Sequence, residues 1–361
     1  MKILVIHPYG IGDCLFMTPL LKALKKQLSP ECIDVIIGSR TQEILQNNPA
    51  INEIFVVDKD KWKKQGRIKT WIEKRKLYLR LKERRYDCLI DLSLRKEYGR
   101  WLAALRIPKR IGFNHRGRGK YLNYNLFLPP EGFQGMHVVE FYSQLGKFLG
   151  VKVEDKHLQY YIPLDAEKKA GEILNASGIE NNEKIIAVVP GSGSSWGKDA
   201  YLKQWPIENF ICLINKLGED FYFDVVVILG TEEEEPIGER LKMGIKKKAI
   251  NLMGKTDLNT SAAIIKRARL FLGNDGGMVH IARSQDIPLI AIYGPVDPDV
   301  YGPYPRSENA IALFKDNLKC RPCYRGFKYN KCLIHDCLKD FTVEEAYLQL
   351  QQKHFLKNLV I

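Results

Sequence analysis

Leu272-Gly273-Asn274-Asp275-Gly276-Gly277-Met278-Val279-His280 runs from a strand end through a glycine turn into a helix start. The apolar run Ala268 to Leu272 predicts a short buried strand, and Met278 to Arg283 predicts the opening of a helix. Between them lie an acid and two glycines, so backbone N–H groups at a helix start can approach an anion closely. Free N–H groups and the positive end of the helix dipole make such a turn a natural phosphate seat. Met278 and Val279 are expected to face the core, with Asp275 and His280 flanking the seat. The plainer alternative is a tight turn in which Asp275 is an N-cap and His280 an ordinary surface or half-buried histidine.

Outward from this stretch, the same alternation repeats. In the second half Lys184 to Val189, Asp224 to Leu229, Ala268 to Leu272 and Pro288 to Tyr293 read as strands. Trp205 to Leu217, Glu234 to Met243, Asn259 to Arg267 and Met278 to Arg283 read as helices. The first half offers strands at Lys2 to His7, Asp34 to Gly38, Glu53 to Val57 and Asp87 to Leu92, with helices at Leu15 to Leu28, Trp71 to Arg85 and His137 to Leu149. Short unbroken apolar runs separated by helical stretches indicate parallel strands covered on both faces. Asn114 to Met136, rich in Gly and Arg, is expected to be a long loop, and Val151 to Pro163 the crossing between two lobes. The expected fold is therefore α/β: two doubly wound lobes, with ligands at the carboxyl ends of the strands and in a cleft between the lobes.

The chain of 361 residues suits two domains of about 150–200 residues. An apolar content of 45% is ample for packed cores. No apolar run reaches the roughly 18 residues of a membrane span. Met1 to His7 is too short for the apolar region of a signal peptide and reads as a first strand, so the expected location is the cytoplasm. The net charge of +14 calls for an acidic partner: phosphates, nucleic acid or an anionic membrane face. Most of that charge lies between Lys59 and Arg85 and in His115-Arg116-Gly117-Arg118-Gly119-Lys120. A charge run is first of all a solvated face, but the overall excess also points to an anion-binding one.

Other strand ends carry similar turns. His7-Pro8-Tyr9-Gly10-Ile11-Gly12-Asp13 leads straight into a helix, and its glycines permit close backbone approach. Asp13 is either an N-cap or a general base directed at a substrate hydroxyl. A dinucleotide fingerprint would need glycine where Leu15 stands and an acid after the second strand, so a dehydrogenase is disfavoured. Val189 to Lys198 supplies Ser192, Ser194 and Ser195 with free N–H groups suited to a diphosphate, and Lys198 or Lys203 to neutralise it. It is not a Walker A loop. After Leu229-Gly230-Thr231 come four glutamates from Glu232, any of which could bind a ribose diol or simply form an acidic first helical turn.

The eight cysteines fall into two groups. Cys14, Cys32, Cys88 and Cys212 sit singly in apolar contexts and read as reduced core residues. Cys320, Cys323, Cys332 and Cys337 are bunched closely enough to hold a structural zinc or iron ion, although their spacing matches no standard zinc module. Packed thiols or disulfides are the alternatives.

The ordered set Gly10-Ile11-Gly12-Asp13 before Thr18-Pro19-Leu20, Pro190-Gly191-Ser192 ending in Lys203-Gln204-Trp205-Pro206, and Asn274 to His280 resembles glycosyltransferase family 9, the heptosyltransferases of lipopolysaccharide core assembly. Tyr293-Gly294-Pro295-Val296-Asp297-Pro298 and the cysteine segment before Phe341-Thr342-Val343-Glu344-Glu345 resemble the family's ending. The resemblance implies a GT-B fold, two Rossmann-like lobes facing across a cleft: an acceptor lobe over residues 1–155, a nucleotide-sugar lobe over 156–345 and a helical tail over 346–361. It implies inverting transfer from ADP-heptose to a hydroxyl of an acidic, lipid-linked acceptor, with no metal or other cofactor for catalysis. Asp13 matches the family's base, Lys203 a lysine near the donor phosphates, and Asp275, Gly276, Gly277 and His280 the phosphate and heptose seat. Glu232 or Glu233 fills the ribose position. Gly10, Gly12, Arg116, Arg118 and Lys120 are the candidates for phosphate or acceptor contacts, and the basic first lobe could rest on the cytoplasmic face of an anionic inner membrane. The chain departs from the family at Gly276, where Thr or Ser often stands, and in its generous spacing between Pro190 and Trp205. Competing classes are a GT-B transferase or epimerase using another nucleotide sugar, and a non-catalytic phosphate- or nucleic-acid-binding protein. No RNA-binding signature or recognition helix supports nucleic acid as a partner.

Overall fold

The computed structural model describes residues 1–94, 96–193, 196–329, 332 and 334–356, without the side chains of 96, 97, 100 and 198. The chain divides into two compact units, Met1–Tyr161 and Ile162–Ile361.

In the first unit six parallel strands form one sheet in the order β3-β2-β1-β4-β5-β6. They are β1 (Lys2–His7), β2 (Cys32–Gly38), β3 (Glu53–Val57), β4 (Cys88–Asp91), β5 (Lys109–His115) and β6 (Tyr124–Leu128). Ile3, Leu4, Val5 and Ile6 have no exposed surface, as expected of a central strand with helices on both faces. Strand order reverses direction between β1 and β4, the switch point at which doubly wound sheets bind ligands.

Several expectations for this half are corrected. The helix expected from Leu15 to Leu28 is two helices, Ile11–Phe16 and Thr18–Leu28, with Pro19 in the first turn of the second. The Asn114 to Met136 stretch is not one long loop: β5 runs on to His115, a short 3-10 turn spans Arg118–Tyr121, and β6 follows. β6 is the edge strand, with Tyr124, Asn125 and Phe127 exposed, so it lacks the apolar run of its neighbours. The basic helix spans Arg67–Arg84, and of its apolar residues Leu81 is buried, whereas Trp71, Ile72 and Leu79 lie in solvent. The crossing segment is strapped to helix Thr18–Leu28: Gln27 exchanges bonds with the Lys152 backbone, Lys22 pairs with Asp155, and Gln159 N–H donates to Thr18 Oγ1.

The second unit repeats the plan in the order β12-β11-β10-β7-β8-β9, again all parallel. The strands are β7 (Ile185–Val189), β8 (Val225–Ile228), β9 (Lys248–Asn251), β10 (Leu270–Asn274), β11 (Leu289–Ile292) and β12 (Ala310–Leu313). Helix Val343–Gln352 closes the core, placing Ala346, Tyr347 and Leu350 among Trp205, Phe210 and Phe341. Cys14, Cys32 and Cys88 are buried as expected, but Cys212 is exposed on the outer side of helix Ile207–Asp220.

Candidate active site

In the second unit the strand order switches between β7 and β10, and the two loops leaving those strands meet there. Asn274 joins them: its Oδ1 accepts the Trp205 N–H at 3.1 Å, and its Nδ2 donates to the Pro190 carbonyl. Asp275 does not cap the following helix. Its carboxylate pairs instead with Lys203, Nζ to Oδ2 at 2.7 Å, with side chains only 8% and 6% exposed. The Lys203 ammonium also lies 4.6 Å from the centroid of the Trp196 ring. Helix Gly277–Ser284 starts directly after Gly276, with Val279 in the core, Met278 half-buried and His280 buried. Gly276, Gly277 and Met278 offer N–H groups with no acceptor among the described residues. That is a ready seat for an anion. Gly276 is extended (φ 179°), and an added Cβ would sit 3.4 Å from the Ser192 carbonyl oxygen, so its backbone does not demand glycine.

The Pro190 loop differs from its expected role. Ser192 is buried, its hydroxyl donating to Ala200 O at 2.6 Å. The N–H groups of Ser192 and Gly193, expected to face a diphosphate, donate to Glu234 Oε1 at 3.2 Å each. Glu234 Oε2 accepts Thr231 N–H at 3.1 Å, completing the return arm of a capping box. Glu232 and Glu233, the two named for the ribose position, are exposed, and the carboxylate that turns inward is Glu234. The available signal was Thr231-x-x-Glu234. A Cβ on Gly191 would collide with that carboxylate. Ser194 and Ser195 lie outside the described residues, as does the side chain of Lys198. Trp196 was also missed: it stacks on Tyr324, ring centroids 5.5 Å apart, and so ties the loop to the cysteine segment.

In that segment Cys323 and Cys337 are buried, Cys332 is half-buried and Cys320 is exposed, all as free thiols. Burial raises the Cys323 thiol and pushes Cys337 up to about 12, so both are protonated near neutrality. Cys323 Sγ donates to Cys320 O at 3.2 Å. Among the described residues no group of three or more His, Cys, Asp or Glu is arranged to hold a metal ion. The expected zinc or iron site does not fit this arrangement.

In the first unit β1 delivers His7 to the carboxyl rim of the sheet, and Tyr9 N–H turns back to His7 O at 3.0 Å. Asp13, half-buried, is the third residue of helix Ile11–Phe16, and its Oδ2 accepts Gly10 N–H at 3.3 Å. It thus stands at the positive end of the helix, with Gly10 just before it and Gly12 in its first turn. His7 is buried, with Nε2 2.8 Å from Tyr142 OH, and burial holds its pKa down at about 3. β4 ends beside β1, Ile6 opposite Asp91, so both strand ends share one rim. Asp91 accepts from Ser93 N and Oγ and pairs with Arg118, both side chains 1% exposed. Arg118 is therefore no surface phosphate ligand, and burial lowers its pKa to about 10. Arg116 and Lys120 are exposed; Arg116 donates to Pro130 O at 3.1 Å, and Lys120 lies over the Tyr121 ring.

The family described as Glycosyltransferase family 9 (heptosyltransferase) matches residues 74–333. Lipopolysaccharide heptosyltransferase 2 of Salmonella typhimurium is 26% identical over 98% of this chain and 99% of that protein. Lipooligosaccharide heptosyltransferase 2 of Haemophilus influenzae is 27% identical over 98% and 99%. Among solved structures, ADP-heptose lps heptosyltransferase II of E. coli aligns with a TM-score of 0.73 at 24% identity, covering 99% of both chains. A glycosyl transferase family 9 structure from Veillonella parvula gives 0.78 at 23% identity, over 99% of this chain and 97% of that one. These likenesses show a shared fold, the GT-B class of paired Rossmann-like units.

Proposed function

The chain belongs to glycosyltransferase family 9, and on that premise we propose that it moves a heptose from ADP-heptose to a hydroxyl of an acidic lipopolysaccharide inner-core acceptor, inverting the anomeric carbon. The lipopolysaccharide reading is supported by the heptosyltransferase relatives that align over nearly their full length. The donor is suggested by the E. coli ADP-heptose enzyme of like fold. The observation that carries the proposal is the candidate anion seat of the second unit: N–H groups at Gly276, Gly277 and Met278 that have no acceptor among the described residues, beside the buried Lys203–Asp275 pair.

Asp13 takes the proton of the acceptor hydroxyl as its oxygen forms the new bond to the anomeric carbon. The bond from that carbon to the donor phosphate breaks, and ADP leaves with the electron pair. The developing phosphate charge is met by the N–H groups at the helix start and by Lys203. The acceptor's acidic groups suit the basic first unit, and we place the enzyme at the cytoplasmic face of the inner membrane as a peripheral protein. Among the described residues no helix is long and apolar enough to cross a membrane.

Asp13→Asn tests the assignment. Turnover should fall about 10²- to 10⁴-fold, the usual contribution of a general base, while ADP still raises the thermal transition and UDP does not. Normal turnover by the variant would remove Asp13 from the mechanism, and stabilisation by UDP alone would remove the ADP-sugar donor.

A further inference from the structure

Helix Arg67–Arg84 turns an apolar stripe outward. At about 100° per residue, Ile68, Trp71, Ile72, Arg75 and Leu79 share one side of it. The four apolar members are 77%, 61%, 41% and 44% exposed. Its opposite side is fixed in place. Leu81 is buried, and Thr70 Oγ1 donates to Trp62 O at 2.8 Å. Glu73 receives Trp62 Nε1 at 2.8 Å and Gln65 Nε2 at 3.0 Å, and it pairs with Lys61. On the flank beside Trp71, Tyr78 OH donates to Ala104 O at 2.9 Å. The stripe is therefore held in solvent by a docked helix.

Cations border the stripe on both sides. From Lys59 to Arg85 there are 13 Lys and Arg against 3 acids. Arg80 and Arg84 are engaged with Glu53, and Arg75 lies over the Trp71 ring. Arg67, Lys69, Lys76 and Lys82 have no carboxylate partner among the described residues, and Glu83 is the one acid that helical spacing puts on the stripe's side of the helix. Tryptophan and isoleucine ringed by lysine and arginine is the composition of a helix that lies in a bilayer interface.

We propose that this face docks the protein on an anionic phospholipid bilayer. Ile68, Trp71, Ile72 and Leu79 enter the headgroup–acyl boundary, and Arg67, Lys69, Arg75, Lys76 and Lys82 meet lipid phosphates. Charge complementarity selects this occupant. Nucleic acid would use the cations but not the isoleucines, and an uncharged protein surface the reverse. The physiological sense rests on the membrane-presented acceptor proposed above, but the vesicle-binding measurement itself needs neither donor nor acceptor.

The full chain is sedimented with sucrose-loaded vesicles of phosphatidylcholine alone, or of phosphatidylcholine and phosphatidylglycerol in equal parts. Wild type should pellet with the anionic vesicles and stay with them less well at high salt. Ile68→Glu/Trp71→Glu should lower its partition at least about tenfold. Both sites are exposed and glutamate is a good helix former, so the variant should keep its thermal transition and its turnover with a deacylated, water-soluble acceptor. Equal pelleting of variant and wild type, equal pelleting on neutral vesicles, or no pelleting at all would overturn the proposal. So would a dimer in solution that the double variant dissolves, since the stripe would then bind a second copy. Loss of turnover by wild type on the soluble acceptor would instead count against the transferase assignment.

Discussion

Lys203→Met isolates the buried ion pair at the anion seat. The Lys203 ammonium is 2.7 Å from Asp275, and both side chains are more than nine-tenths buried. Methionine nearly matches the volume of the lysine stem, so the substitution removes charge more than packing. What remains is a carboxylate without its cation, a change that costs about 3–5 kcal/mol in buried pairs. In a unit of the size of Ile162–Ile361, each kcal/mol moves the transition by roughly 2–4 °C. The transition of the second unit should therefore fall by roughly 6–20 °C. Lys203→Met/Asp275→Asn removes both charges and should regain most of that loss, because no uncompensated charge is left. Donor binding should not recover with it, since the ammonium that would neutralise the diphosphate is still missing. Differential scanning calorimetry and ADP titration read the two quantities separately. A single variant as stable as wild type, or a double variant less stable than the single, would refute the electrostatic reasoning.

Two further outcomes follow from buried groups. His7 has a folded pKa near 3 against 6.5 for the free side chain, so below 6.5 the unfolded chain binds a proton that the folded chain refuses. Its contribution is intact above pH 6.5 and is lost at about 1.4 kcal/mol per pH unit on acidification; His7→Gln, which keeps a partner for Tyr142, should flatten urea-unfolding stability between pH 6.5 and 5, and an unchanged slope would refute it. Gly191→Ala must displace the Glu234 carboxylate and should cost about 1–3 kcal/mol in the same assay, whereas a neutral result would mean that the loop yields freely.

The central strands were legible because their side chains are buried on both faces, so that Ile3 to Ile6 and Ile185 to Val189 are plain apolar runs. β6 was not, since an edge strand with Tyr124 and Phe127 in solvent has no such run. Helical spacing placed Trp71, Ile72 and Leu79 on a helix, but spacing cannot tell which face is covered. The strand-to-helix turn at Asn274 to Gly277 was readable from local chemistry alone: strand, acid, glycines, helix. Arg118 was not, because its place is set by Asp91, 27 residues upstream, and its neighbours Arg116 and Lys120 do lie in solvent. Among the consecutive glutamates the phase of one short turn chooses the inward one, and composition carries no such phase.

The interlock of Glu234 with Gly191 has an evolutionary corollary. Residues 43 positions apart in the chain occupy one volume, so neither is free to drift alone. A lineage that enlarges residue 191 must swing the residue 234 carboxylate aside, shorten that side chain or relocate the loop, and the two positions should co-vary as a pair. A chimaera that imports residues 190–205 from a relative with a different donor would inherit half of that arrangement, and would need residue 234 from the same parent to seat the loop.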